Sequence, residues 1–455
     1  SFNGQLKFIN HACFYIESSN SILICDPWLE GLAFNNGWSL LDESSSNKET
    51  VEDLIRSKKK IFIWYSHEHS DHFSISFLKA LHQKFKNFTV IFQKTLDQRI
   101  IKYLKSKNIS SIEAINGNKI LLDNQLYINI WSHKNGDSFS LLTYKNITIL
   151  NLNDCIINNK REAQQILFKI NKITTKINFL FTQFGYANWI GNKESKDIRL
   201  KAGAEKINRI LLQENQLSPE IIIPFASFIT FCDKDNFYLN DYQNTPKIIK
   251  NSYVLKSIRD KIIFLKPRDV IDLKQYKHLS QDFETISNNA INHWEKLYFS
   301  KKPISFKSER IEFGILKNES KKFLVLINKN FLLLPSLLEL FKLIKPVSIY
   351  IKDIDEQIHF SYLKFSKIHK KTKWDIKTNS QELYHSLKYE YGFNTLNVNG
   401  KFEVNSFKSY KNFVYFFYFQ DLIKQNITFK NPFNLLKKIM HLSIIFIKNT
   451  MSFRI

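Results

Sequence analysis

Short apolar runs separated by polar turns open the chain. Gln5–Glu17 and Ser21–Asp26 read as a pair of strands that end in Asp26-Pro27-Trp28. Ile61–Tyr65 is apolar without a break and stops at Ser66, as a strand buried on both faces does. The period then changes. Over Phe73–Phe85 the apolar residues recur at helical spacing. Val90–Gln93, Gln125–Ser132, Phe139–Tyr144 and Ile147–Leu152 return to the strand pattern, and Ile177–Phe181 and Ile221–Pro224 continue it. A basic helix is expected between these last two, from about Lys201 to Gln213, and Ile262–Leu265 is expected to close the sheet system. Strands mixed with helices in this order predict a layered α/β architecture.

A chain of 455 residues is long for one core, so two domains are expected. The pattern turns irregular near residues 270–300. A first domain is therefore placed at residues 1–275 and a second, smaller α+β domain at 300–455. The second has its own strands and helices, among them Phe323–Asn328, Leu332–Leu343 and Val347–Ile351. No internal repeat is found.

The formal charge of +24 has two readings: an anionic partner, or lysines spread over solvated faces. The second accounts for most of the charge. No nucleic-acid-binding signature accompanies it, so a specific nucleic-acid partner is not expected. Cys13, Cys25, Cys155 and Cys232 form no C-x-x-C pair, which argues against a zinc knuckle or a redox motif and for a reducing compartment. The N-terminus has no signal-peptide core and no run is long enough to span a bilayer, so a cytoplasmic protein is the expectation. The tail Asn434–Lys448 is apolar with interleaved basic residues. It reads first as an element packed on its own domain and second as a peripheral membrane contact.

The chemistry concentrates in Ser66-His67-Glu68-His69-Ser70-Asp71-His72-Phe73, directly after the strand at Ile61–Tyr65. Residues two apart on an extended loop point the same way, so His67 and His69 reach one cation. Asp71 and His72, at the turn into the helix, reach a second cation a few ångströms away. Imidazole with carboxylate suits zinc, iron or manganese better than calcium. Three of the chain's twelve histidines fall within these few residues, which a polar loop with chance histidines does not explain.

The H-x-H-x-D-H pattern resembles that of the metallo-β-lactamase superfamily. The resemblance implies an αββα sandwich, followed here by the α+β domain, and two divalent metal ions, zinc or iron. It also implies further ligands on later loops: His133, in Trp131-Ser132-His133, as the third histidine of the first metal, and Asp154, in Leu152-Asn153-Asp154, as the bridging carboxylate. Asp26 matches a turn that supports the site, and His11 is a candidate for the same supporting role. The superfamily's last histidine has no counterpart, because none occurs between His133 and His278. Asp233 or Cys232 stands in the matching segment, and Asp233 is taken as the ligand.

Four segments narrow the resemblance: Asp26–Gly31, Ile149–Cys155, Gln183–Trp189 and Pro224–Phe228. Together, over roughly residues 5–270, they look like the catalytic domain of the CMP-N-acetylneuraminic acid hydroxylases and their bacterial relatives. Those enzymes draw electrons from a Rieske centre, which needs paired Cys and His ligands. No such pairing stands in this sequence, so an oxidative reaction here implies an external electron donor. Ser380–Phe402 is similar to a sterol-carrier-like module that follows the metal domain in bacterial relatives. Two enzymatic readings result, metal-assisted hydrolysis and oxygen-dependent hydroxylation, both on a small anionic substrate such as a nucleotide-linked sugar. Asp71 is the expected catalytic residue in the first. A binding or scaffold protein with a degenerate site is the alternative to both.

Overall fold

The computed structural model describes residues 4–278, 280–306, 309–369 and 373–438. The chain divides into two compact units. The first holds the described residues up to Ala187 together with Ser195–Cys232 and Phe237–Pro303. The second holds Asn188–Glu194, Asp233–Asn236 and the described residues from Ile304 onward.

Two sheets face each other in the first unit. One has seven strands, in the spatial order Val270–Asp272, Gln5–Asn10, Cys13–Glu17, Ser21–Cys25, Lys60–Tyr65, Phe88–Gln93 and Ser110–Ala114. The other has six, in the order Ile221–Phe225, Phe179–Gln183, Ile147–Asn153, Ser138–Tyr144, Leu126–Ser132 and Lys119–Leu121. Successive side chains of a strand point to opposite faces, and the sequence uses both. Leu23, Cys25 and Trp64 enter the core between the sheets. Their neighbours Ile22, Ile24, Ile61 and Ile63 pack on the other face, against Val51, Leu54, Phe77, Leu81 and Leu104. Those partners lie on helices Asn47–Arg56, Ile75–Lys84 and Arg99–Ser106. Ala163, Ile166 and Ile170 of helix Lys160–Ile170 and Ile210 of helix Lys196–Leu217 join the core of the second sheet. The layers are thus helix, sheet, sheet, helix.

Three expectations change. Gln5–Glu17 is a hairpin rather than one strand, broken at Asn10-His11-Ala12 where His11 has φ +41°. Ile262–Leu265 does not extend a sheet. It makes one parallel bridge to Ile222, and the edge strand is Val270–Asp272, paired with Gln5–Lys7. The first unit also runs past residue 275 to Pro303. Helix Ser280–Ser300 buries Trp294, which stacks on Phe228 at 3.9 Å between centroids and donates a hydrogen bond to the Leu265 carbonyl at 2.8 Å.

In the second unit five strands run in the order Phe365–Lys367, Glu356–Phe360, Val347–Ile351, Ile376–Thr378 and Phe402–Val404. Phe323–Asn328 is part of helix Phe313–Phe331, whose Leu316, Phe323, Ile327 and Phe331 recur at helical spacing and enter this unit's core. Of the tail Asn434–Lys448, residues 439–448 lie outside the described residues.

Phe14 and Phe181 join the facing sheets, stacked at 4.3 Å and fully buried. Phe14→Ala removes that contact and leaves a cavity, so it is expected to lower unfolding free energy by about 3–5 kcal/mol, read from the midpoint of a urea titration.

Candidate metal centre

Strand Lys60–Tyr65 delivers the site and helix Ile75–Lys84 receives it. Between them the backbone turns tightly, with the amides of His72 and Phe73 both donating to the His69 carbonyl, at 3.0 and 2.7 Å. Ser74 then caps the helix by accepting from the Phe77 amide, which satisfies one of the free donors of the first turn. Four consecutive positions, Asp71 to Ser74, are buried.

Asp26 holds this loop in place. Its carboxylate accepts the Ser66 amide at 2.7 Å and the Ser66 hydroxyl at 2.6 Å, and it lies 2.8 Å from His72 Nδ1. A proton on Nδ1 leaves His72 Nε2 as the coordinating atom, the arrangement by which carboxylates orient metal-bound histidines. Nε2 of His72 is buried without a hydrogen-bond partner, as is Oδ1 of Asp71. Such atoms are costly in a folded chain unless something else engages them.

Ligand atoms of His67, His72 and Asp154 lie within 4.8 Å of one another, and those of His11, Asp71 and His72 do likewise. His72 belongs to both groups. Its Nε2 is 3.3 Å from Asp71 Oδ2 and 3.4 Å from Asp154 Oδ2. His69 faces His67, Nδ1 to Nε2 at 3.1 Å. The donor chemistry fits two borderline cations.

His11 was expected only as support, yet its Nε2 lies 3.3 Å from Asp71 Oδ2. It sits at the hairpin tip, where its amide donates to Asn10 Oδ1 and its carbonyl accepts from Ala226. His133 lies half-buried, its Nε2 2.9 Å from the Ile156 carbonyl, two residues beyond Asp154. Among the described residues, His69, His133 and Asp233 are in neither group of three. The carboxylate of Asp233 lies 3.3 Å from Lys401 Nζ, and both residues are in the second unit. Cys232 is buried and donates to the Asn36 carbonyl.

Charge distinguishes the candidate ligands. Burial, and then the neighbouring His72 and His69, hold His67 well below the ordinary histidine range, so it stays neutral and ready to coordinate. Burial works against a charge on His72 too, but Asp71, Asp154 and Asp26 outweigh it and raise its pKa well above the usual value. Burial opposes ionisation of Asp154, yet His72 and His67 bring its pKa down to about 2.

A second chain of contacts reaches Asp154 from behind. The Gln183 side-chain amide donates from Nε2 to Asp154 Oδ1 at 3.1 Å, and Lys206 Nζ donates to Gln183 Oε1. Gln183 opens one of the segments that carry the resemblance, but neither it nor Lys206 was expected at the site, because a glutamine at a strand end and a lysine in a basic helix carry no distinctive spacing. Burial, and then Arg209, push the Lys206 amine down to about 7.

Residues 5–173 match a family model described as a beta-lactamase superfamily domain. The chain is 27% identical over 286 residues to cytidine monophosphate-N-acetylneuraminic acid hydroxylase of Danio rerio, covering 59% of this chain and 46% of that protein. It is 26% identical to the Mus musculus enzyme over 288 residues, covering 59% and 47%. The chain thus spans about half the length of the curated relatives it matches. Among solved structures, CmlA, a diiron β-hydroxylase from Streptomyces venezuelae, aligns with TM-score 0.42 and 12% identity over 60% of this chain and 55% of that one.

Since His72 serves both groups, His72→Ala is expected to strip metal from both positions, whereas His11→Ala lowers the content at one only. Metal-to-protein ratios of the purified variants measure this. Lys206 is expected to stand apart among the lysines. Only the neutral amine reacts with acylating reagents, so its labelling in metal-free protein should rise with pH through a midpoint near 7, well below ordinary lysines at about 10.4. Mass spectrometry of labelled peptides reads the two midpoints.

Proposed function

We propose that this chain, which has the metallo-β-lactamase fold, is a dinuclear metal-dependent enzyme that hydroxylates a small anionic substrate, such as a nucleotide-linked sugar, with dioxygen. The observation that carries the reading is the pair of ligand groups sharing His72, with buried donor atoms that no hydrogen bond uses. The likeness of the first unit to the hydroxylases supports the oxidative chemistry, and the charge of +24 supports an anionic substrate. His67, His72 and Asp154 would hold one cation, with His69 and His133 beside them. His11, Asp71 and His72 would hold the other. His11 takes the part for which the sequence offered Asp233. Bound there, a pair of iron ions supplies Lewis acidity and redox chemistry with dioxygen.

The residues have separable tasks. Asp26 fixes the tautomer of His72 through Nδ1, and Gln183, backed by Lys206, fixes the rotamer of Asp154. Asp71 offers a second carboxylate oxygen, Oδ1, that is buried and uncommitted, and it orients or transfers a proton at the reacting centre. Hydroxylation consumes two electrons beyond those of the substrate, and an external ferredoxin or reductase supplies them.

Hydrolysis is the second reading. It is favoured by the donor set itself, since imidazole and carboxylate accept zinc as readily as iron, and zinc makes water nucleophilic near neutral pH.

Elemental analysis of purified chain is expected to give about two irons per chain, with oxygen uptake once a nucleotide-linked sugar, reductase and ferredoxin are added. Zinc alone after growth in iron-rich medium, with release of a hydrolysis product and no oxygen uptake, would establish the second reading. Asp71→Ala is expected to abolish turnover while circular dichroism stays unchanged. Near-normal turnover in that variant removes Asp71 from the chemistry.

A further inference from the structure

Helix Leu334–Leu340 in the second unit has two apolar faces. Leu334 and Leu338, one helical turn apart, pack on the unit's own core with the buried Pro335 behind them. Leu337 and Leu340 point the other way. With Leu332, Leu333, Phe341 and Leu343 they make six large apolar side chains within twelve residues, each between 47 and 71% exposed. Isolated exposed leucines are ordinary, but a contiguous patch of this kind marks a contact surface.

The backbone projects this patch deliberately. The helix meets the preceding helix Phe313–Phe331 at a bend of 102°. Leu332, at the corner, has φ +55° and ψ −136°, a conformation a leucine adopts only when its surroundings impose it. The rim is basic: Lys329, Lys342 and Lys345 are exposed. The acid of the segment, Glu339, is turned away to accept the Tyr362 amide at 2.7 Å. The corner also continues into the last described helical segment. The Phe429 amide donates to the Asn330 carbonyl at 3.0 Å, and Phe433 and Leu436 beyond it are 71 and 56% exposed beside exposed Lys430 and Lys437.

We propose that this corner docks the chain on an anionic lipid surface, with the leucine and phenylalanine side chains inserted at the headgroup boundary and the lysines against lipid phosphates. The pairing of an apolar face with a cationic rim is the complement of such a surface. A neutral protein groove offers nothing to the lysines. The contact is interfacial. Among the described residues no single helix is long and apolar enough to cross a membrane; the bent pair Phe313–Phe331 and Leu334–Leu340 is so by length and composition together, but its first helix commits Leu316, Phe323 and Ile327 to the unit's own core.

The test is co-sedimentation of the full chain with phosphatidylcholine vesicles, with and without phosphatidylglycerol. Binding is expected with phosphatidylglycerol and is expected to weaken as salt rises. The double variant Leu337→Asp, Phe341→Asp should lower partitioning by about tenfold or more, with thermal stability unchanged because both side chains are exposed. Lys342→Glu, Lys345→Glu should remove the preference for anionic vesicles while leaving the apolar face intact. No binding by the unaltered chain overturns the proposal. So does binding that both variants retain, since residues beyond Lys438 would then carry it. A dimer in light scattering that Leu337→Asp, Phe341→Asp dissolves, with no vesicle binding, assigns the corner to a second copy and likewise overturns it.

Discussion

One carboxylate organises the centre of this molecule. Asp26 accepts two hydrogen bonds from Ser66 and faces Nδ1 of His72. It thereby ties the end of strand Ser21–Cys25 to the start of the loop that follows strand Lys60–Tyr65. These two strands are parallel neighbours, so the tie sits at the carboxyl ends of both, where parallel strands release their loops. Everything that depends on the aim of His72 depends on it. Removing one member of a buried hydrogen-bonded set leaves the others unsatisfied. Asp26 is therefore conformational support and electrostatic partner at once.

Backbone strain gathers at the same place. His11, Asp26 and Asn153 all have positive φ, at 41°, 42° and 37°. Each sits where a strand hands over to a loop that serves the centre. Non-glycine residues rarely adopt this region, and they persist there when packing and hydrogen bonds impose it. Asn153 is fully enclosed and donates to the Ser138 carbonyl, and its own side chain accepts the Asp154 amide. Those bonds aim Asp154, just as the Asn10 side chain aims His11. The cost in conformational energy lies in the same residues that set the ligands' direction.

The sequence disclosed the centre unevenly, for physical reasons. His67, Asp71 and His72 stood out because a short loop after a buried strand brings candidate ligand atoms together by local geometry. Asp154 stood out by resemblance and by its place after a strand. His11 was not, because its part depends on a hairpin turn hidden inside what reads as one apolar run, and on strand pairing that no local pattern encodes. Asp233 was read as a ligand from its order along the chain, whereas it belongs to the second unit, where its carboxylate meets the buried Lys401. The layered architecture was clear from alternating periods, and the helix over Phe323–Asn328 was not, since six apolar-rich residues fit either period. Ile262–Leu265 misled for the opposite reason. It is as apolar as a strand, but the Phe264 amide is taken by the Ser287 hydroxyl, so the segment cannot continue a ladder.

The pairing of Gln5–Lys7 with Val270–Asp272 bears on how the protein is made. The residues of both candidate groups, from His11 to Asp154, all precede Val270–Asp272 in the chain and so leave the ribosome before it. The strand that leads to His11 nevertheless has an open edge until more than a hundred further residues have been translated. Contacts so distant in the chain form late, because loop closure must come first. The nascent chain therefore carries its candidate ligands well before the strand that closes the outer edge of the sheet beside His11.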